Sequence, residues 1–269
     1  MKVTITPWMP APADAPRPCF AIGDIHGMDG HFEAIQAAIS TIIRDEGLDD
    51  VLLVRLGDYV DRGPSSLGVL RRARLGLGIK GVEEHNLRGN HEQMLSIFLD
   101  RPDDIGMLYL WLRNGGYAVA EEFGWSHDKA MRCPWGFREA LRGVLGEEGV
   151  AFLLGLETSV RCGPYLFVHA GIDPFGEVDK FLDVDWRDFP ESDADTERSP
   201  FWIRDAFLSW NAPLPDDIVV IHGHTITKNP DVRPCRVNID TGCFRGGPLT
   251  AIELRGREMR LLMASDGQD

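Results

Sequence analysis

Short apolar runs that stop at a glycine beside an aspartate or a histidine constrain this chain more than any other feature of its sequence. CFAIG (19–23), VLLVRLG (51–57) and VEEHNLRG (82–89) are each followed by a segment of helical period, near 29–45, 65–77 and 91–100. That alternation predicts βαβ units around a buried sheet, an α/β fold. Strand-like runs return at YLFVHAGI (165–172), DIVVIHGHT (217–225), RVNIDTG (236–242) and LTAIELRG (249–256), after an acidic loop near 183–200. Between the two sets, residues 104–157 carry helical stretches without a clear strand pattern, which reads as a helical insertion over the sheet.

The first eighteen residues are rich in Pro and Ala without periodicity, so 1–18 are expected to be a flexible arm and 19–269 a single domain. At 269 residues and 43% hydrophobic, the chain can bury a sizeable core. Its start lacks a charged-then-apolar leader, and no run approaches the roughly 18 to 20 apolar residues that cross a bilayer; a cytoplasmic protein without a membrane partner is expected. The five cysteines are scattered, with no Cys-x-x-Cys pair, and are expected to be reduced and structural. A net charge of -14 repels a phosphate backbone, which argues against non-specific nucleic-acid binding. Any phosphate-bearing ligand then needs a local source of positive charge.

The chemistry-bearing residues gather at the strand ends. GDIHG carries Asp24 and His26; GDYVDRG carries Asp58, Asp61 and Arg62; LRGNHE carries Arg88, Asn90 and His91; VHAG carries His169; HGHT carries His222 and His224. In open α/β sheets the carboxyl edge is where ligands bind, because its loops present side chains from a rigid support. Carboxylates, an amide and several imidazoles, with no thiolate, form an oxygen and nitrogen donor set that suits Mn, Fe or Zn rather than Ca. A two-metal centre, its cations roughly 3.5 to 4 Å apart across one bridging carboxylate, can hold a phosphoryl group and generate hydroxide near neutral pH. Arg62 and Arg88 supply the local positive charge in a planar fork matched to phosphate oxygens.

GDIHG, GDYVDRG and LRGNHE, with HAG and GHT after them, resemble the calcineurin-like metallophosphoesterase superfamily, specifically its bacterial serine/threonine phosphoprotein phosphatases, over residues 19–255. The resemblance implies central β-sheets flanked by helices and a dinuclear site at the strand carboxyl ends. Asp24, His26 and Asp58 would hold one metal, and Asn90, His169 and His224 the other, with Asp58 bridging. The cofactors would be two divalent ions, Mn favoured and Fe, Zn or Ni admitted, delivering a hydroxide directly to phosphorus. His91 would protonate the leaving alkoxide and Asp61 would hold its imidazole in the right tautomer. Arg62, Arg88, Asn90 and, from FWIRDAF, Arg204 would bind the phosphate.

Plainer roles are expected for other residues. Asp240 in NIDTG is expected to hydrogen-bond a supporting turn, and His222 to stay outside the ligand set. His31, His85 and His127 have no motif around them, and the aromatics Tyr109, Trp111, Tyr117, Phe123 and Trp125 read as helix core. The substrate expected is a phosphorylated protein or a small phosphoester. Symmetrical dinucleoside tetraphosphatases share the fold, the GNH loop and an IDTG strand but often lack the aspartate of DRG, so Asp61 leans toward the protein phosphatases. A nucleotide or small-molecule phosphatase, or a phospho-ligand scaffold on an inactive fold, are the alternatives.

Overall fold

The structure is a computed structural model that describes residues 1–101 and 103–267. Two five-stranded mixed sheets stack face to face and helices cover their outer sides. The first runs β1 (Lys2–Ile5), β10 (Leu249–Ser265), β2 (Met9–Ile22), β3 (Val51–Arg55), β4 (Val82–Asn86). The second runs β5 (Ser159–Cys162), β6 (Tyr165–Val168), β7 (Val219–His222), β9 (Arg236–Asn238), β8 (Asp231–Val232). Within each, three neighbours are parallel: β2, β3 and β4, and β6, β7 and β9.

The continuous apolar runs follow from this layering, because their strands are buried on both faces. Phe20, Ile22, Val51 and Leu53 point outward, under helices α1 (Asp29–Asp45), α2 (Ser66–Leu75) and α3 (Asn90–Asp100). The alternate residues Cys19, Ala21, Leu52 and Val54 point inward against Tyr165, Phe167, Val219 and Ile221 of the second sheet. The period of two thus splits each run between two cores. Each core position removes apolar area from water at about 25 cal/mol per Å², so a one-residue slip would move every side chain of the strand to the wrong layer.

Residues 105–154 are mostly helical: α4 (Ile105–Trp111), a kinked stretch (Leu112–Gly116), α5 (Tyr117–Glu122), α6 (His127–Arg132) and α7 (Pro134–Leu154), itself broken at Gly146. They bury Trp111, Phe137 and Leu141 against Phe98 and its neighbours on α3. Short helices α8 (Val178–Leu182), α9 (Asp193–Thr196) and α10 (Asp205–Leu208) stand before β7.

The expected flexible arm at 1–18 is corrected. Residues 2–5 pair antiparallel with β10, and β2 begins at Met9. Its prolines are tolerated because β3 joins only from Cys19, so residues 9–18 have a strand on one side alone. Tyr165 of the other sheet clasps this stretch, its hydroxyl donating to Ala13 O at 2.8 Å and accepting from Ala13 N–H at 3.1 Å.

Candidate metal centre

Six strands converge on one cleft. Asp24 follows β2, Asp58 follows β3, Asn90 and His91 open α3 just beyond β4, and His169, His224 and Asp240 follow β6, β7 and β9. All seven are buried. Getting them there bends the backbone where side chains rarely go. His26, Asp58, Asp61, Arg62 and His224 have φ of 45°, 51°, 74°, 69° and 68°. Left-handed backbone at a non-glycine residue costs about 1 kcal/mol or more each, and such strain concentrates where geometry serves chemistry. Glycines admit the carboxylates: a Cβ at Gly89 would overlap Asp58 Oδ1, and one at Gly223 would overlap Asp24 Oδ1.

Two groups of donors share Asp58. His26, Asp58 and His91 offer ligand atoms within 4.8 Å of one another, and so do Asp58, His169 and His224. His26 Nε2 stands 3.3 Å from Asp58 Oδ2, and His169 Nε2 stands 3.4 Å from Asp58 Oδ1. Asn90 Oδ1 is 3.2 Å from His169 Nε2 and 2.9 Å from His224 Nδ1. Backbone carbonyls set two of the tautomers: His26 Nδ1–H donates to Val60 O and His169 Nδ1–H to Leu56 O, each at 2.9 Å. Each Nε2 lone pair is thereby turned toward the oxygens of Asp58. Acceptors that face acceptors fit a cation between them, and the donor set fits one in kind: anionic oxygens with neutral imidazoles.

The charges agree. Burial lowers His26, His169 and His224 below the ordinary imidazole range, while Asp58 pulls each of them the other way. Burial, with Asp240 and Asp58 facing it, pushes Asp24 well above the usual carboxylate range, and burial pushes Asp240 up to about 6. Burial also works against the charge of Asp58, but His169, His91 and His26 outweigh it and hold that carboxyl well below its usual range. Divalent cations bound here would relieve the crowding of carboxylates, polarise a phosphoryl oxygen and lower the pKa of water.

Asp61 and His91 form a buried pair beside this centre, Oδ2 to Nδ1 at 2.5 Å. His91 Nε2, which has no hydrogen-bond partner among the described residues, stands 4.0 Å from Asp58 Oδ2. Burial lowers His91, yet Asp58 and Asp61 outweigh it and raise it, which favours the proton-carrying imidazolium. Arg62 reaches the same cleft: its Nη1 donates to His26 Nε2 at 2.8 Å, and its guanidinium lies 4.6 Å above the Phe244 ring. Arg204, an exposed residue, is near enough for the charges of Asp58, Arg62 and Asp24 to act on it.

Two expected residues are placed differently, and two others stand where they were expected. Arg88 is corrected as a phosphate ligand: Nη1 donates to Ser96 Oγ at 2.8 Å and Nη2 to the carbonyls of Leu153 and Leu154 at 2.9 and 3.1 Å, beneath Trp186. It ties α3 to the end of α7. Asp24 lies in the cleft but outside both donor groups, its oxygens accepting the His224 N–H at 3.2 and 3.0 Å. His222 is buried against Phe207 and lies in neither group. Asp240 Oδ1 accepts the Gly242 N–H at 3.0 Å, the turn contact expected of it.

The sequence reading gave no role to Glu92. Its carboxylate accepts four N–H groups, from Asp58 (2.8 Å), Tyr59 (2.8 Å), Val60 (3.1 Å) and Gly89 (3.0 Å), and so holds the GDYVDRG loop against the start of α3. A glutamate three residues after the glycine that opens a helix was the available signal. Trp111, read as core, donates its indole N–H to Asp61.

A model of calcineurin-like phosphoesterases matches residues 18–249. The symmetrical bis(5'-nucleosyl)-tetraphosphatase of Methylobacillus flagellatus is 26% identical over 284 residues, covering 89% of this chain and 93% of that protein. The asymmetrical bis(5'-nucleosyl)-tetraphosphatase PrpE of Halalkalibacterium halodurans is 28% identical over 236 residues, covering 86% and 87%. The solved cold-active protein-tyrosine phosphatase of a psychrophilic Shewanella shares the fold at a TM-score of 0.58 and 17% identity, over 91% of this chain and 77% of that one. With the matched region covering the second sheet, β3, β4 and the residues of the cleft, this chain belongs to the calcineurin-like phosphoesterase family and is a metal-dependent phosphoesterase.

Proposed function

We propose that the cleft hydrolyses phosphomonoesters whose leaving group needs a proton, with phosphoserine or phosphothreonine in a protein as the substrate. The observation that carries this reading is the buried contact of Asp61 Oδ2 with His91 Nδ1 at 2.5 Å. An alkoxide of high pKa leaves well only if it is protonated as the P–O bond breaks, whereas a nucleotide leaves readily without help. In this reading Asp24, His26 and Asp58 hold one divalent ion, and Asp58, Asn90, His169 and His224 the other. Arg62 and Arg204 bind the phosphoryl oxygens as guanidinium forks. Water oxygen bonds to phosphorus and releases one proton, the ester P–O bond breaks, and the Nε2 proton of the imidazolium that Asp61 stabilises goes to the departing oxygen, leaving a neutral His91 that takes up a proton again from solvent.

A second reading is cleavage of a dinucleoside tetraphosphate, favoured by the similarity, over nearly the whole chain, to the two bis(5'-nucleosyl)-tetraphosphatases above. One panel at fixed Mn²⁺ separates the two: p-nitrophenyl phosphate, a phosphoserine peptide, a phosphotyrosine peptide and diadenosine tetraphosphate. The first reading expects the highest kcat/KM on the phosphoserine peptide among biological substrates. A kcat/KM at least about tenfold higher on the dinucleotide, worth about 1.4 kcal/mol of transition-state stabilisation, overturns it.

A further inference from the structure

The Asp61–His91 pair does not stand alone. Trp111, wholly buried at the end of α4, donates its indole Nε1–H to Oδ1 and Oδ2 of Asp61 at 3.0 and 3.1 Å. Among the described residues it is the one donor to Oδ1, and His91 takes Oδ2. The indole itself is fixed by stacking on Phe98 and Phe137, with centroids 5.7 and 6.0 Å away. Gly116 leaves the space, since a Cβ there would come within 2.8 Å of the indole nitrogen. The same segment grips the next residue of the loop, as Arg62 N–H donates to Gly115 O at 3.1 Å and Arg62 Nε to Asn114 O at 3.5 Å. A kink at Gly115, with φ 123° and ψ -3°, separates α4 from α5 and presents those carbonyls.

We propose that Trp111 is a positioning residue for proton delivery: its N–H fixes the Asp61 carboxylate, which fixes the His91 ring so that Nε2 meets the leaving oxygen. The inference rests on the general-acid reading of His91 above. Chemistry favours indole for the task. Its N–H only donates and does not ionise, so the carboxylate stays the acceptor on both sides and His91 keeps its Nδ1–H pointed at Asp61. The insertion thereby joins the active site through a hydrogen bond as well as through packing. A partner that orients a functional imidazole typically contributes 10- to 100-fold, and the loss of Trp111 should fall toward the lower end because Asp61 remains.

The test is Trp111→Phe, which keeps the aromatic stack and removes the donor, assayed beside His91→Asn and Asp61→Asn on a phosphoserine peptide and on p-nitrophenyl phosphate. Metal content is read by elemental analysis. The expected result is a loss in kcat of roughly tenfold on the phosphoserine peptide, with a change of about twofold or less on p-nitrophenyl phosphate, whose leaving group needs no proton. KM and metal content should stay unchanged. Equal losses on the two substrates mean that Trp111 only supports the fold, and the inference fails. If His91→Asn shifts the substrate ratio and Trp111→Phe does not, the inference fails while the general-acid reading stands. If His91→Asn leaves the ratio unchanged, the general-acid reading fails and takes the inference with it. Should Trp111→Phe not fold, 3-benzothienylalanine introduced at position 111 keeps the bicyclic outline without the N–H, and the same ratio decides.

Discussion

Glu92 Oε2 accepts the backbone N–H of Asp58 at 2.8 Å, so the carboxylate that opens one helix fixes the loop that supplies the shared oxygen of the metal centre. Three further N–H groups point at the same carboxylate. Glu92→Gln keeps the shape but turns an amide NH₂ toward these donors, leaving buried N–H groups unpaired. The expected loss is on the order of 2 to 4 kcal/mol in urea unfolding of the metal-free protein, together with reduced turnover. Unchanged stability would show that the loop holds its left-handed turns without this carboxylate.

Asp58 has an oxygen toward each donor group, Oδ2 toward His26 and Oδ1 toward His169. Asp58→Asn is therefore expected to weaken retention of both ions together, read as metal per chain after dialysis, and to lower kcat by several orders of magnitude. Two tightly retained ions with near-normal turnover would overturn the shared role.

The elements that the sequence disclosed are those whose physics is local. Buried parallel strands read as apolar runs, α1 and α2 carry apolar stripes on one face and α3 is buried almost all round, so the βαβ units and their strand-end residues were legible. What long-range contacts decide was not. Arg88 and Arg62 look alike beside their motifs, yet the carbonyls of Leu153 and Leu154 draw Arg88 away. Prolines made residues 9–18 read as an arm because a one-sided strand tolerates them. Trp111 has the signature of a core residue and is one; its N–H acquires a role only because the fold brings Asp61 to it.

His85 Nδ1 and Nε2 lie 2.9 Å from Glu157 and Glu83 on the edge strand β4. Burial lowers its pKa, but the two hydrogen bonds outweigh that and the net direction is upward from the ordinary histidine value. A group raised in the folded state contributes stability that is fully present below its unfolded pKa and is lost as pH rises through the folded value. His85→Gln should therefore lower Tm more at about pH 5.5 than at about pH 9, and about 0.5 M salt should shrink the difference because both carboxylates are half exposed. An equal loss at both pH values would mean that His85 acts there only as a neutral spacer.

Arg88 and Arg204 separate support from binding. Arg88→Met removes donors to Ser96 and to two carbonyls at the end of α7, none of them in the cleft. Leaving those buried acceptors unpaired should cost on the order of 3 kcal/mol in denaturant unfolding, while the folded fraction keeps its KM and metal content. Arg204 is the reverse case. Arg204 is an exposed residue on which the charges of Asp58, Arg62 and Asp24 act; partial burial of its guanidinium lowers its pKa, and the like charge of Arg62 adds to that until an anion joins the two. Arg204→Ala should leave the melting temperature of the free enzyme level or slightly higher, and lower kcat/KM by roughly 10²-fold, the usual cost of losing one donor to transition-state charge. Inorganic phosphate should also inhibit this variant more weakly. A fall in stability with unchanged phosphate inhibition would move Arg204 to the supporting group and leave Arg62 as the phosphate fork.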